Sequence, residues 1–381
     1  MINSQETIKK LFEQKSFPSN QENCLQNVIG NRKIILYGGG DGFVTFLFFV
    51  LKKYGLKAEA VIDRKFVNGG VYFGVPTFSA EGYLPTNEEK ADAVAVVTVG
   101  KLNYHEEIFN FLRGLGFKNI IAANDIYEYY TYNTPPELEK RGFDYYLDNK
   151  DMIIGCLDFF SDDLSREVYT LFMQTHMQRK PIRIPSCKPE EQYFPPDIKL
   201  SKGCSRFINC GSYNGDTVRR LHMLYGQIDA LACFEPDPGN FQLLAKYLSD
   251  HHRQIAKSAV AFPCGVFSHE MQFRFAAGNL INSAITENGD SIIQCVALDH
   301  ALPGFKPTFI NMDIEGAELA ALKGAETLIK ENKPDLAISA YHAPNDMWEI
   351  PRYLHNLNLG YKFYLRNYSS FISDTVLYAT I

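Results

Sequence analysis

Two carboxylates and a glycine stand together in Asp313-Ile314-Glu315-Gly316, directly after the apolar run Phe309-Ile310-Asn311-Met312. This reads as a buried strand that ends in acid and turns at a glycine into the amphipathic stretch 317–325. A parallel sheet presents its chemistry at the carboxyl ends of its strands, so the segment marks an active-site edge rather than mere packing. The next apolar run, Leu336-Ala337-Ile338-Ser339-Ala340-Tyr341, ends at His342. If those two strands are neighbours, His342 and Asp313 meet at one rim. A histidine beside an acid is a base suited to neutral pH, although a strand-end histidine can also be purely structural. Asp313, His342 and Glu315 are the candidate catalytic set, with Glu315 placed to hold a substrate hydroxyl. Glu318, one turn on, reads as a stabiliser of the helix N-terminus. Asp313, Glu315 and His342 would also suit magnesium or manganese better than zinc. The expectation is nevertheless a metal-free site.

A second group lies upstream, in Arg206-Phe207-Ile208-Asn209-Cys210-Gly211-Ser212-Tyr213-Asn214-Gly215-Asp216. Gly211 and Gly215 bracket the turn after a strand, where the backbone must pass close to a ligand or take positive φ. Asn209, Asn214, Asp216 and, from the later strand end, Asp313 belong to the same candidate cofactor set. Asp216 serves equally well as a helix cap or a ligand contact. Glu235 closes the next apolar run about twenty residues after the turn, where nucleotide-binding α/β domains place the carboxylate that meets ribose hydroxyls. Asp237, just before Pro238, reads as a helix cap. The loop 278–284 contains Asn282 and Ser283, which could bind sugar hydroxyls; a plain connection explains it as well.

Positioning these residues takes a strand-and-helix alternation that occurs in both halves of the chain. Strands are expected at 33–37, 58–63, 93–99 and 118–122, with helices at 42–54 and 104–115. Later strands are expected at 206–210, 230–235, 258–262, 271–276, 292–297, 307–313, 335–341, 361–367 and 375–380. The last two are joined by a loop too short for a helical crossover, so they form an antiparallel hairpin. Between the halves lies a proline-bearing region with a helix at 164–177. The division expected is 1–125, a connector and lead-in over 126–202, and 203–381. The fold class is α/β with two Rossmann-like domains.

The chain has 381 residues, 46% apolar and 22% charged, which fits packed cores and two domains. A net charge of −6 argues against binding nucleic acid by broad phosphate neutralisation. The apolar run Phe43–Leu51 is too short to span a bilayer, and residues 1–10 hold no signal-peptide core. None of the eight cysteines forms a C-x-x-C pair; Cys210, Cys233 and Cys295 fall in strand-like runs and read as small buried hydrophobes. A cytoplasmic protein is expected.

Beyond these readings, the chain resembles the FkbM-type methyltransferases over nearly all of 186–381. The resemblance rests on Gln192-Tyr193-Phe194-Pro195, the glycine turn, Phe234-Glu235-Pro236, Asp313-x-Glu315-Gly316, Tyr341-His342, Tyr361–Arg366 and Thr375–Ala379. It implies a class I methyltransferase fold with a mostly parallel seven-stranded sheet and a terminal antiparallel hairpin. It also implies S-adenosyl-L-methionine as cofactor and methyl transfer to oxygen on sugars or polyketide-like molecules. Two positions depart from the family: Asn209 stands where aspartate is common, and Asn311 where lysine is common. If the usual pair is a buried ion pair, losing one partner alone would cost about 3–5 kcal/mol, whereas neutralising both would not. The two asparagines should then lie within hydrogen-bonding distance or share a water.

The first domain carries Gly38-x-Gly40-x-Gly42, which is not the dinucleotide fingerprint, and Asp63 at a strand end. Ala60-Val61-Ile62-Asp63 and Gly74-Val75-Pro76 resemble the small front domain of some nucleotide-sugar acyltransferases, which implies a nucleotide or sugar-nucleotide ligand. The expected function is O-methylation of a saccharide or related small molecule, in a protein that could be a homo-oligomer. The alternatives are a nucleotide-binding or oxidoreductase protein working through the first domain, and a degenerate, non-catalytic methyltransferase.

Overall fold

The computed structural model describes residues 3–18, 22–131, 134–275 and 291–381. The chain divides into two compact units. One comprises Phe17–Thr134 with Gln178–Pro181; the other comprises Met1–Ser16, Pro135–Met177 and Ile182–Ile381.

The first unit is built on β1 (Ile34–Tyr37), β2 (Ala58–Ile62), β3 (Gly70–Tyr72), β4 (Val75–Phe78), β5 (Val94–Val97) and β6 (Asn119–Ala122), in the order β3-β4-β2-β1-β5-β6. β1 and β5 are buried throughout, as continuous Ile/Val/Leu runs in a parallel sheet must be. β3 and β4 form an antiparallel hairpin absent from the sequence reading. Its strands are short and alternate with exposed residues such as Val71, so they lack the apolar run that announced the others. The helix expected over 42–54 begins at Asp41 but widens over Phe46–Leu51, where Lys52 N–H bonds the Leu47 carbonyl one residue beyond the α-helical partner. The turn after β1 is braced from within. Gly39 N–H donates to Asp63 Oδ2 at 2.6 Å, and Lys65 Nζ donates to the Gly39 carbonyl at 2.5 Å.

The second unit carries β7 (Arg206–Cys210), β8 (Ile228–Phe234), β9 (Ala256–Phe262), β10 (Gly265–Val266), β11 (Met271–Phe275), β12 (Ser291–Val296), β13 (Phe309–Met312), β14 (Asp335–Ser339), β15 (Lys362–Asn367) and β16 (Thr375–Thr380). Seven of them form one sheet in the order β15-β16-β14-β13-β7-β8-β9. Every pairing from β14 to β9 is parallel, whereas β16 runs antiparallel to both its neighbours. This is the expected parallel sheet closed by a hairpin. The strands read at 271–276 and 292–297 do not join it; with β10 they form a separate three-stranded sheet.

Register does the positioning. β13 aligns Asn311 with Asn209 on one side and with Ala337 on the other. Continuing one step, Cys210 aligns with Phe234 and with Met312, so the three strands end at one level. Phe207 and Phe309 stack at 5.4 Å on the face that also holds Tyr193, Phe194, Val376 and Tyr378. The lead-in before β7 is pinned to the hairpin by Cys187 N–H on the Asn367 carbonyl and Tyr193 N–H on Tyr378 Oη. Buried Arg366 pairs with Asp162 at 2.6 Å and with Asp197 at 2.7 Å, fastening residues on both sides of that segment. The helix read at 164–177 is present as Asp163–Gln178. Cys210, Cys233 and Cys295 are buried and unpaired. Among the described residues, no helix is long and apolar enough to cross a membrane.

Candidate functional site

Gly211 follows β7 with φ +78°, and a Cβ there would fall inside the contact radius of the Asp313 carbonyl oxygen. Only glycine lets the two strand ends approach so closely. Gly215 also has positive φ and occupies the cap position of the helix Asp216–Tyr225. Asp216 is therefore the first helical residue, not the cap; it is exposed, and its Oδ1 accepts from Thr217 N–H. Asn214 is engaged by Arg219 through both its side chain and its carbonyl. Gly211→Ala should lower the melting temperature and abolish ligand binding at this rim, because the left-handed backbone and the clash act together, costing about 1–3 kcal/mol for the backbone alone. Thermal unfolding checks it.

Glu235 stands just past β8 and is 5% exposed. Its Oε2 accepts from Tyr213 N–H at 2.7 Å and its Oε1 from Asp237 N–H at 2.9 Å. Each oxygen keeps a further lone pair. Burial pushes this carboxyl up to about 7 against the pull of those two donors. Asp237 caps the following helix, accepting from Gly239 and Asn240 N–H, as its position before Pro238 led us to expect.

At the end of β13, Asp313 Oδ2 accepts from Tyr193 Oη at 2.6 Å. Its Oδ1 lies 3.4 Å from His342 Nε2, and Glu315 Oε2 lies 3.6 Å from the same nitrogen. On the ring's other side, Glu318 Oε1 lies 2.9 Å from Nδ1, with the ring turned off the line of an ideal hydrogen bond. Glu318 is fully buried and accepts from Ile314 and Gly316 N–H. Burial pushes the Glu315 carboxyl up to about 8, and the Asp346 carboxyl likewise; Asp374 is pushed up to about 6. Burial alone would lower His342, but the charges of Glu318, Glu315 and Asp313 outweigh it and hold the imidazole well above its usual value.

Asp313, Glu315 and His342 thus come together, and with them Gly211 and Glu235 on the adjoining strands. Asn282 and Ser283 lie outside the described residues. Sequence reasoning missed Tyr193, Asp346 and Asp374 as parts of this site. Four of the non-glycine residues with left-handed backbone, Tyr193, Tyr213, Glu315 and Asp374, sit at it. Such conformations persist where surrounding structure enforces them, commonly at functional sites.

Asp313, Glu318 and His342 also offer ligand atoms within 4.8 Å of one another, a possible metal set. The two carboxylates, however, approach different nitrogens of one ring. The imidazole bridges them rather than sharing a chelate with both.

A family model, the methyltransferase FkbM domain, matches residues 209–363. Over that stretch the chain is similar to the FkbM methyltransferases. The crystal structure of methyltransferase FkbM from Methylobacillus flagellatus KT superposes with a TM-score of 0.67 at 21% identity, covering 99% of each chain, so the fold is shared across both units. Aeropyrum pernix fibrillarin, solved with natively bound S-adenosyl-L-methionine, gives a TM-score of 0.32 at 10% identity over 48% of this chain and 70% of its own. No curated protein sequence matches the chain.

The two departures, Asn209 and Asn311, are register partners, both buried. They do not bond each other directly. Asn311 Nδ2 donates to the Ala337 carbonyl at 3.3 Å, and the other three side-chain polar atoms of the pair have no protein partner. Adjacent neutral side chains at one level fit paired neutralisation; the direct hydrogen bond does not form.

Tyr193 tests the rim. Tyr193→Phe keeps the packing and removes the hydroxyl that holds Asp313. Turnover should fall about tenfold, the equivalent of roughly 1.4 kcal/mol, with ligand affinity at the rim unchanged. Steady-state kinetics beside calorimetry checks both.

Proposed function

We propose that this protein is an FkbM-type methyltransferase that transfers a methyl group from S-adenosyl-L-methionine to a hydroxyl of a saccharide or related small molecule. The observation that carries it is the convergence of Gly211, Glu235 and Asp313 at the carboxyl ends of three adjacent parallel strands. That is where open α/β sheets take their ligands.

The residues fit such a cofactor. Glu235 is held by two backbone donors and keeps lone pairs for vicinal ribose hydroxyls. Gly211 places no side chain where the turn meets the Asp313 backbone. Asp313 Oδ1 has no hydrogen-bond partner in the protein. Asn209, Asn214, Gly215 and Asp216 complete the proposed cofactor set, and Asn282 with Ser283 the proposed substrate contacts. When bound, S-adenosyl-L-methionine supplies an electrophilic sulfonium methyl, which goes to the acceptor oxygen as the C–S electron pair returns to sulfur.

The chain's own work is to orient the acceptor hydroxyl and take its proton. Asp313 and Glu315 are the acceptors that can hold that hydroxyl, and His342 is the group between them that can take a proton. A positioned base contributes on the order of 10²–10⁴-fold. We place the reaction in the cytoplasm, in keeping with eight unpaired cysteines.

Calorimetry with S-adenosylhomocysteine, NAD(H) and UDP-sugars tests the reading. S-adenosylhomocysteine should bind with one site per chain. Heat from NAD(H) or a UDP-sugar, with none from S-adenosylhomocysteine, would move the function to the first unit. Heat from none of the three would favour a degenerate domain.

A further inference from the structure

We propose that Glu318 is a positioning residue for His342: it holds the ring proton on Nδ1, so that Nε2 faces Asp313 and Glu315 as the atom that takes the acceptor's proton. This rests on the methyltransferase reading above and assigns Glu318 a part beyond helix capping.

The geometry is that of an orienting carboxylate behind a base. Glu318 cannot swing away, because Ile314 N–H (2.8 Å) and Gly316 N–H (3.0 Å) fix its two oxygens. These donors belong to the turn that carries Glu315, so one side chain sets both the turn and the ring. Glu318 lies 2.9 Å from Nδ1, closer than either carboxylate lies to Nε2. A carboxylate accepts and cannot donate when ionised, so the short contact favours a proton on Nδ1. In the neutral ring, Nε2 is then left as the acceptor. Neither ring nitrogen has an aligned hydrogen-bond partner in the protein; what separates them is distance, with Glu318 at 2.9 Å from Nδ1 and Asp313 and Glu315 at 3.4 and 3.6 Å from the buried Nε2.

The groups facing the ring come from every element packed against it. Asp313 and Glu315 lie in the turn after β13, Glu318 opens the helix Glu318–Lys323, Asp346 opens the helix Asp346–Asn356, and Asp374 precedes β16. Tyr341 lies 4.2 Å from the ring. This setting holds the imidazole's pKa above its ordinary value in the free protein. The base form appears as pH rises, when the ring gives up its Nε2 proton and retains the one on Nδ1. In turnover, the proton of the acceptor hydroxyl passes to Nε2 as its oxygen bonds the methyl carbon. The resulting imidazolium is balanced by Glu318.

The test is a long-range ¹H–¹⁵N spectrum of the full chain labelled at histidine, with S-adenosylhomocysteine bound, titrated from neutral to alkaline pH. His342 is assigned by its absence in His342→Asn. The neutral ring should carry its proton on Nδ1. In Glu318→Gln the midpoint of His342 should fall by roughly 1–3 pH units, and the tautomer should become mixed. A neutral wild-type ring protonated on Nε2 would overturn the proposal even if Glu318→Gln failed to fold. So would an unchanged midpoint in a folded Glu318→Gln. Calorimetry on the same samples separates the two levels: loss of S-adenosylhomocysteine binding in the wild-type protein defeats the methyltransferase reading, whereas intact binding with the wrong tautomer defeats only the role of Glu318.

Discussion

Asp313→Ala abolishes methyl transfer, with turnover reduced by at least on the order of 10³-fold, while S-adenosylhomocysteine still binds. The side chain is the junction of the site. One oxygen is fixed by Tyr193 Oη and the other lies between His342 Nε2 and the rim. Removing it leaves no carboxylate at the end of β13 to align an acceptor hydroxyl, and it takes from His342 one of the charges that set its protonation. The backbone of residue 313 stays in place, since Asp313 N–H remains bonded to the Cys210 carbonyl. Binding should therefore survive where turnover does not. Rates with labelled methyl donor, measured beside calorimetry, make the comparison. Wild-type turnover in Asp313→Ala would remove this residue from the mechanism.

Glu235 predicts the opposite split. Glu235→Ala weakens S-adenosylhomocysteine binding by about 100-fold, from the loss of two hydrogen bonds to a charged acceptor worth roughly 1.5 kcal/mol each at the low end. Turnover at saturating cofactor changes little by comparison. A pH dependence follows from the raised carboxyl. Ribose hydroxyls donate to the ionised form, so ligand binding favours loss of the Glu235 proton. Affinity should then rise with pH through about 7 and level off above it. Glu235→Gln holds the packing and should flatten this rise; subtracting its profile isolates Glu235 from the other raised carboxyls. An affinity that falls as pH passes through 7 in the wild-type protein would contradict the assignment.

Much of this site was legible because parallel sheets impose it. Apolar runs that end in Gly211, Glu235 and Asp313 must deliver those residues to one edge once their strands are neighbours, and β13-β7-β8 are neighbours. The closing hairpin was legible from loop length alone. Tyr193 was not, because it lies in an irregular segment without periodicity and reaches Asp313 through a tertiary hydrogen bond between residues far apart in sequence. Glu318 was misleading for a different reason. Its place at a helix start explains it locally, and only the fold brings His342 to its other side. Asp346 and Asp374 are single acids at a helix start and a turn, where acids are ordinary. The association of Met1–Ser16 and Pro135–Met177 with the later sheet likewise depends on distant partners, such as Asp162 with Arg366.

A crystal structure with S-adenosylhomocysteine bound decides the matter. The account requires the ribose hydroxyls within hydrogen-bonding reach of Glu235, the chain passing over Gly211, and the sulfur turned toward Asp313. Ligand density elsewhere, or a hollow between these three residues that stays filled by protein side chains at saturating ligand, would contradict it.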